Sequence, residues 1–142
     1  DGDREHQILD LGADEFTVGR AHPMLDPTVR VERIARAAGR PDLAVLLLDV
    51  VLGHGAADDP AGDVAPAIEA ARSTARAHRR ELAVVASVVG TAADPQGLAA
   101  QTARLEAAGA WVLPSNAQAA RAAAAIAGPE AVRATLRTGG TA

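Results

Sequence analysis

The sequence predicts a three-layer α/β domain in which a parallel sheet of roughly four to five strands lies between helices. Apolar runs of strand length alternate along the chain with segments whose apolar residues recur at helical spacing. The run at 43–52 is apolar except for Asp49 and is too short to span a membrane, which is typical of a central parallel strand. The chain of 142 residues suffices for one such domain, and we expect residues 1–142 to form it.

Each expected strand is followed by a loop and a helix-start signal. An Asp-Pro step is typical of a helix N-terminus, because the Asp carboxylate accepts backbone N–H groups and Pro needs none. A Ser followed three residues later by Gln is a capping box. The expected strands are residues 6–11, 43–52, 82–89 and 110–113, and the expected helices begin at Asp26-Pro27, Asp59-Pro60, Asp94-Pro95 and Ser115. A further short helix is expected over 129–137.

The composition excludes several classes of chemistry. Without Cys the chain has neither a disulfide nor a thiol nucleophile, and without Lys it has no Schiff base or P-loop Lys. The net charge of −4 is unfavourable for a nucleic-acid partner. No apolar run reaches membrane-spanning length, so we expect a cytoplasmic protein without a membrane partner. Because the sequence begins Asp-Gly-Asp rather than Met, we expect it to be part of a longer chain.

The loops that follow the strands carry the candidate site. In a parallel sheet they meet at the carboxyl edge, where free N–H groups and helix N-termini favour an anion or an acyl group. The alternative is that they are ordinary turns, which every fold of this class has. The candidate anion- and substrate-binding residues are Gly53, His54, Gly55, Gly90, Thr91, Asp94, Gln96, Gly97, Ser115 and Asn116. No metal-ligand spacing occurs among the His residues.

Two residues invite a catalytic interpretation. His54, between two glycines, is a candidate phosphohistidine or general base, and the alternative is an exposed loop residue. Asp49 stands where a response-regulator receiver has its phosphoacceptor, but that chemistry also needs a Lys, which the chain lacks. A buried Asp that caps a neighbouring turn is the preferred interpretation of Asp49, because a buried carboxylate must be hydrogen-bonded.

Four segments carry a family resemblance. They are LGADEFTVGRAHPMLDPTVR from Leu11, LLLDVVLGHGAADDPAG from Leu46, VVASVVGTAADPQGLAAQ from Val84 and AGAWVLPSNAQAAR from Ala108. Together they resemble the ligase-type domain of the FdrA family, which is related to the alpha subunit of succinyl-CoA synthetase. The resemblance implies a flavodoxin-like domain that follows a CoA-binding domain, with CoA as the cofactor of the full-length protein and none bound by this domain alone.

The resemblance also implies a departure in chemistry. In succinyl-CoA synthetase the loop after the corresponding strand carries a phosphorylated His, whereas the matching loop here, Gly90–Gly97, contains none. The letters Gly53-His54-Gly55 mimic that motif but follow a different strand. The resemblance therefore implies an acyl-CoA synthetase-like ligase domain without phosphohistidine. The alternative is a noncatalytic subunit-interaction domain of a carbamoyltransferase complex in purine (allantoin and oxamate) catabolism. We expect the isolated domain to be inactive, and to work with partner subunits or the companion domain on a small anionic substrate.

Overall fold

The computed structural model describes residues 6–128, which form an α/β fold with a parallel sheet flanked by helices. This confirms the predicted fold class. The elements in chain order are α1 (Asp14–Thr17), α2 (Thr28–Ala38), β1 (Val45–Val51), α3 (Pro60–Ala77), β2 (Ala83–Val89), α4 (Leu98–Ala107), β3 (Trp111–Leu113) and α5 (Asn116–Ala127). None of the helices within the described residues is long and apolar enough to cross a membrane. The helix expected over 129–137 lies outside the described residues.

The sheet has the order β1-β2-β3 with both pairs parallel. Leu47 is aligned with Val85, and Val85 with Trp111, so these three side chains form one row across the sheet. Within residues 6–128 the sheet thus has three strands rather than four to five. The apolar run at 43–52 forms an edge strand, not the central strand that its composition predicted. The central strand is β2.

Most of the core lies on one face of the sheet. Even-numbered residues of β1 and β2, such as Val50, Val84 and Ala86, pack against α2, α3 and α4, with Ile68 and Leu105 fully buried among them. The buried stripe of α3 includes Val64, Ile68, Ala71 and Ala75, which all lie in this core at helical spacing. The two connections between successive strands, through α3 and α4, therefore lie on the same side of the sheet, as right-handed crossovers that run in one direction require, and α2 packs beside α3 in this layer.

Among the elements of residues 6–128, α5 is the helix that covers the other face of the sheet. This helix packs on all three strands and buries Val85 completely, but Leu47 on β1 remains 42% exposed and Trp111 on β3 remains 63% exposed. Asp49 lies on this face of the edge strand and is exposed, so the prediction of a buried, capping Asp49 is wrong. The continuous apolar run therefore did not show whether helices cover both faces of the strand completely or leave part of one face exposed.

The segment at 6–11, expected to be a strand, lies outside the sheet. Residues 6–10 have no regular structure, and the Ile8 side chain is fully exposed. The apolar residues of this segment predicted that it would be buried. A strand is buried only when a neighbouring strand pairs with it and a helix covers its face. Within the described part of the chain, no strand pairs with the outer edge of β1.

The predicted side-chain caps are confirmed for α3 and α5, whereas α2 has Pro27 at its N-cap position and no side-chain cap there. The side chain of Asp59 accepts the N–H of Gly62, and that of Ser115 accepts the N–H of Gln118. Asp26 accepts both the N–H and the hydroxyl of Thr28 at the start of α2. The fourth signal, Asp94-Pro95, does not cap α4.

Candidate functional site

Gln96 joins the two glycine loops at the carboxyl edge of the sheet. Its Oε1 accepts the N–H of Gly53 at 3.1 Å, and its Nε2 donates to the carbonyls of Gly53 at 2.8 Å and Ala57 at 3.1 Å. The side-chain amide thus pairs with the backbone of the loop after β1 as a neighbouring strand would. The sequence predicted that the loops at 53–55 and 90–97 converge. These hydrogen bonds join the two loops directly.

Asp94 occupies the donors of its own loop. Its Oδ2 accepts the N–H of Thr91 at 2.6 Å and the Thr91 hydroxyl at 3.2 Å. The helix α4 begins only at Leu98, after a tight turn in which Gly97 donates to the carbonyl of Asp94. The prediction that Asp94 is the N-cap of α4 is therefore wrong, because it lies three positions before Gly97, the residue at the N-cap position. The carboxylate closes the 90–94 loop instead.

Two glycines allow the loops to approach each other. Gly53 has φ of +129°, which side-chain-bearing residues rarely adopt. A Cβ at Gly90 would lie 2.8 Å from Cβ of Leu52 and 3.0 Å from Oδ2 of Asp94, so any larger residue would displace the loop. The position of the Asp94 carboxylate between the two loops thus depends on the glycines on either side of it.

A second polar cluster lies behind the loops, and the sequence analysis did not identify it. Gln101 is buried, and its Oε1 accepts the N–H of Ala61 at 2.8 Å in the first turn of α3. Its Nε2 donates to Oδ1 of Asp59 at 2.8 Å and to the carbonyl of Gln96 at 3.3 Å. Arg104 forms an ion pair with the same Asp59. The sequence signal was available, because Gln101 lies three residues after Leu98 and four before Leu105, on the apolar stripe of α4.

The other predicted site residues are not brought into contact with this cluster. His54 and Gly55 are exposed in the loop after β1, and among the described residues His54 makes no hydrogen bond or ion pair. Ser115 and Asn116 are exposed at the start of α5, at the end of β3, where Ser115 serves as the helix cap. The structure thus joins the loops after β1 and β2 but gives no contact to the third loop.

A small cavity lies beside the end of β1. Its volume is about 20 Å³, which is room for one water molecule and too little for a substrate. The cavity is lined by residues of the 23–30 segment, the end of β1 and the start of α3, including Met24, Val51 and Pro60. Met24 is held there because its carbonyl accepts the N–H of Ala57 at 2.7 Å.

The charges at this edge are paired or solvated, and a lowered pKa occurs away from the loops, at Asp26. The hydroxyl of Thr28, followed by its backbone N–H, lowers the pKa of the exposed Asp26. Among residues 6–128 no group of three or more His, Asp or Glu side chains could hold a metal ion. The arrangement can therefore bind through N–H groups and side-chain amides, and it presents no catalytic dyad within the described residues.

Comparisons with known proteins agree with the fold class. Residues 1–126 match the CoA-ligase family. The chain is 43% identical over 98 residues to the uncharacterized protein YahF of Escherichia coli (strain K12). That alignment covers 69% of this chain and 19% of YahF, so the chain spans about a fifth of the length of this relative.

Proposed function

Since the chain belongs to the CoA-ligase family, we propose that it is the ligase-type domain of an FdrA-like, succinyl-CoA-synthetase-like enzyme, and that it binds a small anionic group without carrying phosphate on His. The observation that supports this most directly is the carboxylate of Asp94 bound to the donors of Thr91. A loop that holds a carboxylate through an N–H and a hydroxyl has donors suited to an oxyanion.

Covalent phosphate transfer through His has no support in this loop. Residues 90–97 contain no His, and the candidate that the sequence analysis identified, His54, follows β1 rather than the central strand β2. A phosphohistidine needs a ring nitrogen that is oriented by a hydrogen bond to its other nitrogen. His54 has no such partner among the described residues. The proposed role is therefore noncovalent.

A ligand anion must compete with Asp94. Its carboxylate both occupies the donors of Thr91 and repels a second negative charge beside it. For the isolated domain we therefore propose an affinity in the millimolar range, about 4 kcal/mol of binding free energy. The companion CoA-binding domain of the family would supply positive charge and CoA, and the combined site would bind more tightly.

A second role, subunit interaction within a carbamoyl-transferring complex, is favoured by the exposed sheet face beside α5. Leu47 and Trp111 lie in one row on either side of the buried Val85, and they are 42% and 63% exposed. Large apolar side chains left exposed in one row are typical of a surface that packs against a partner. This role and the anion-binding role are compatible, because the row lies on the sheet face and the loops lie at its carboxyl edge.

The experiment that tests the noncovalent role measures phosphorylation of the chain. The protein is incubated with γ-labelled ATP and, separately, with labelled phosphoramidate. The labelled phosphate bound to the protein is then tested for loss in acid and retention in base. We expect no such label with either donor. A stoichiometric, base-stable label that disappears in a His54→Asn variant would overturn the proposal.

A further inference from the structure

A chain of hydrogen bonds runs from His22 to the loop before α4. The backbone N–H of Met24 donates to Nδ1 of His22 at 3.2 Å. The carbonyl of Met24 accepts the N–H of Ala57 at 2.7 Å, and the carbonyl of Ala57 accepts Nε2 of Gln96 at 3.1 Å. The turn at residues 22–26 is thereby joined to the loop after β1 and, through Gln96, to the loop at 90–97.

The ring of His22 takes a position that Asp takes in the turns on either side of it. A side-chain acceptor that binds the N–H two residues later closes a tight turn. Oδ1 of Asp10 accepts the N–H of Gly12, and Oδ1 of Asp26 accepts the N–H of Thr28, each at 2.9 Å. An imidazole gains a proton within the range of about pH 5 to pH 8, whereas an Asp carboxylate ordinarily keeps its acceptors there. The turn closed by His22 can therefore lose its acceptor under mild conditions.

The proton that His22 gains in acid must enter at Nδ1. Because Nδ1 accepts the N–H of Met24, it carries no proton in this conformation, and the single proton of the neutral ring lies on Nε2. A second proton turns Nδ1 into a donor that faces another donor, so the bond to Met24 cannot persist. The intervening residue, Pro23, has no N–H that could take its place.

The charged groups around the ring do not remove this conflict. A Cβ at Gly12 would lie 2.5 Å from Nε2 of His22 and 3.3 Å from Oδ1 of Asp10, so this carboxylate lies on the Nε2 side of the ring and offers nothing to Met24. His54, in the loop after β1, titrates in the same pH range and needs its own control. The other charged groups on the turn and on the elements beside it are Arg20, Asp26, Arg30, Glu32, Asp58 and Asp63.

We propose that His22 is a positioning residue whose neutral ring holds the 22–26 turn against the loop after β1, and whose protonation loosens that contact. The carbonyl of His22 accepts the N–H groups of Leu25 and Asp26, so the turn itself remains when the ring is charged. What changes is the orientation of Met24, and with it the strength of the bond to Ala57. The loop after β1 is therefore held firmly at neutral pH and less firmly in acid, whether or not an anion binds there.

The experiment measures amide hydrogen exchange by NMR without ligand, between about pH 5 and pH 8. Each rate is compared with that of an unstructured peptide at the same pH, and the ratio is the protection factor. In the unmodified chain we expect the protection factor of the Ala57 amide to fall about three- to tenfold in acid, as for the loss of one net hydrogen bond. The midpoint should coincide with the titration of the His22 ring. The amide of the fully buried Ile68 should keep its protection, which shows that the domain remains folded.

Two variants identify the group that titrates. In His22→Asn the side chain can accept the N–H of Met24 in the same kind of turn but does not titrate, so Ala57 protection should stay within about twofold across this pH range. His54→Asn removes the other imidazole near this loop, and it should leave the pH response of Ala57 unchanged.

An Ala57 protection factor that does not change with pH in the unmodified chain would overturn the proposal. The same pH response in His22→Asn would show that the ring is not the group responsible. A response that disappears in His54→Asn would assign the effect to His54 and contradict the proposal equally.

Discussion

Replacement of Gln101 by Met tests whether the buried amide joins α3, α4 and the loop before α4. Met has a similar volume and length but supplies neither the acceptor for the N–H of Ala61 nor the donors for Asp59 and Gln96. Ala61 is fully buried, so its N–H loses its partner without gaining water. An unsatisfied buried donor costs about 1–3 kcal/mol.

The donor side of Gln101 adds to this cost. A net hydrogen bond contributes roughly 0.5–1.5 kcal/mol, and the bond to Asp59 belongs at the lower end of that range because the carboxylate is partly exposed and also paired with Arg104. The Gln101→Met variant should therefore lose about 2–4 kcal/mol of unfolding free energy. For a domain of this size that lowers the melting temperature by roughly 6–12 °C.

The assay is urea unfolding followed by far-UV circular dichroism, with Gln118→Met as the matched control. Gln118 is exposed, and the cap depends on its backbone N–H, which donates to Ser115 Oγ. Its side chain loses only a long, exposed bond from the Ser115 hydroxyl to Oε1 at 3.4 Å, so the control should stay within about 0.5 kcal/mol of the unmodified chain. If the Gln101→Met variant also stays within that range, the amide does not hold these elements together, and the structural role argued for it is wrong.

Three further predictions concern the caps and the loops. Gly53→Ala should cost about 1–2 kcal/mol because of its positive φ, whereas Gly55→Ala, with no atom within 4 Å of the added Cβ, should cost little in the same urea assay. Ser115→Ala should cost about 1 kcal/mol through loss of the α5 cap, and an unchanged unfolding midpoint would contradict the assigned cap. Thr28→Val should raise the pKa of Asp26 toward its usual value of 3.8, as an NMR titration would show. Because the folded pKa of Asp26 is lowered, its stabilisation is present above the unfolded pKa and is lost as the pH falls through the folded value, and Thr28→Val should reduce that acid-dependent loss.

Much of the fold could be predicted because local signals and packing agree. The helix α3 has a cap at Asp59 and a buried stripe from Val64 to Ala75, and both follow from residue type and spacing alone. The edge position of β1 could not be predicted, because the apolar run at 43–52 reports only that its residues prefer burial. Whether neighbours cover both sides of a strand is decided by the rest of the chain, and here α5 leaves Leu47 exposed.

The site shows the same division between local and long-range information. The carboxyl-edge position of the 53–55 and 90–97 loops follows from the order of strands and helices. Their actual junction through Gln96 spans 43 residues of sequence, and no local pattern predicts it. The Asp94-Pro95 step gave a helix-start signal, but the turn to Gly97 delays the helix, so Asp94 bonds to Thr91 instead. A cap motif identifies a turn more reliably than it identifies the residue at which the helix begins.

The measurement that tests the central claim most directly is an NMR titration of the unmodified chain and of Asp94→Asn with inorganic phosphate at constant ionic strength. The account predicts saturable amide shifts confined to Gly90–Leu98 and Gly53–Gly55, with millimolar affinity in the unmodified chain. Asn keeps an acceptor for Thr91 but removes the charge, which at roughly 6 Å and an effective dielectric constant of about 40 contributes about 1.4 kcal/mol. Binding to Asp94→Asn should therefore be about tenfold tighter. Shifts that do not saturate, that spread over the Arg-bearing helices, or that are the same in both proteins would contradict the claim that Asp94 occupies an anion-binding loop.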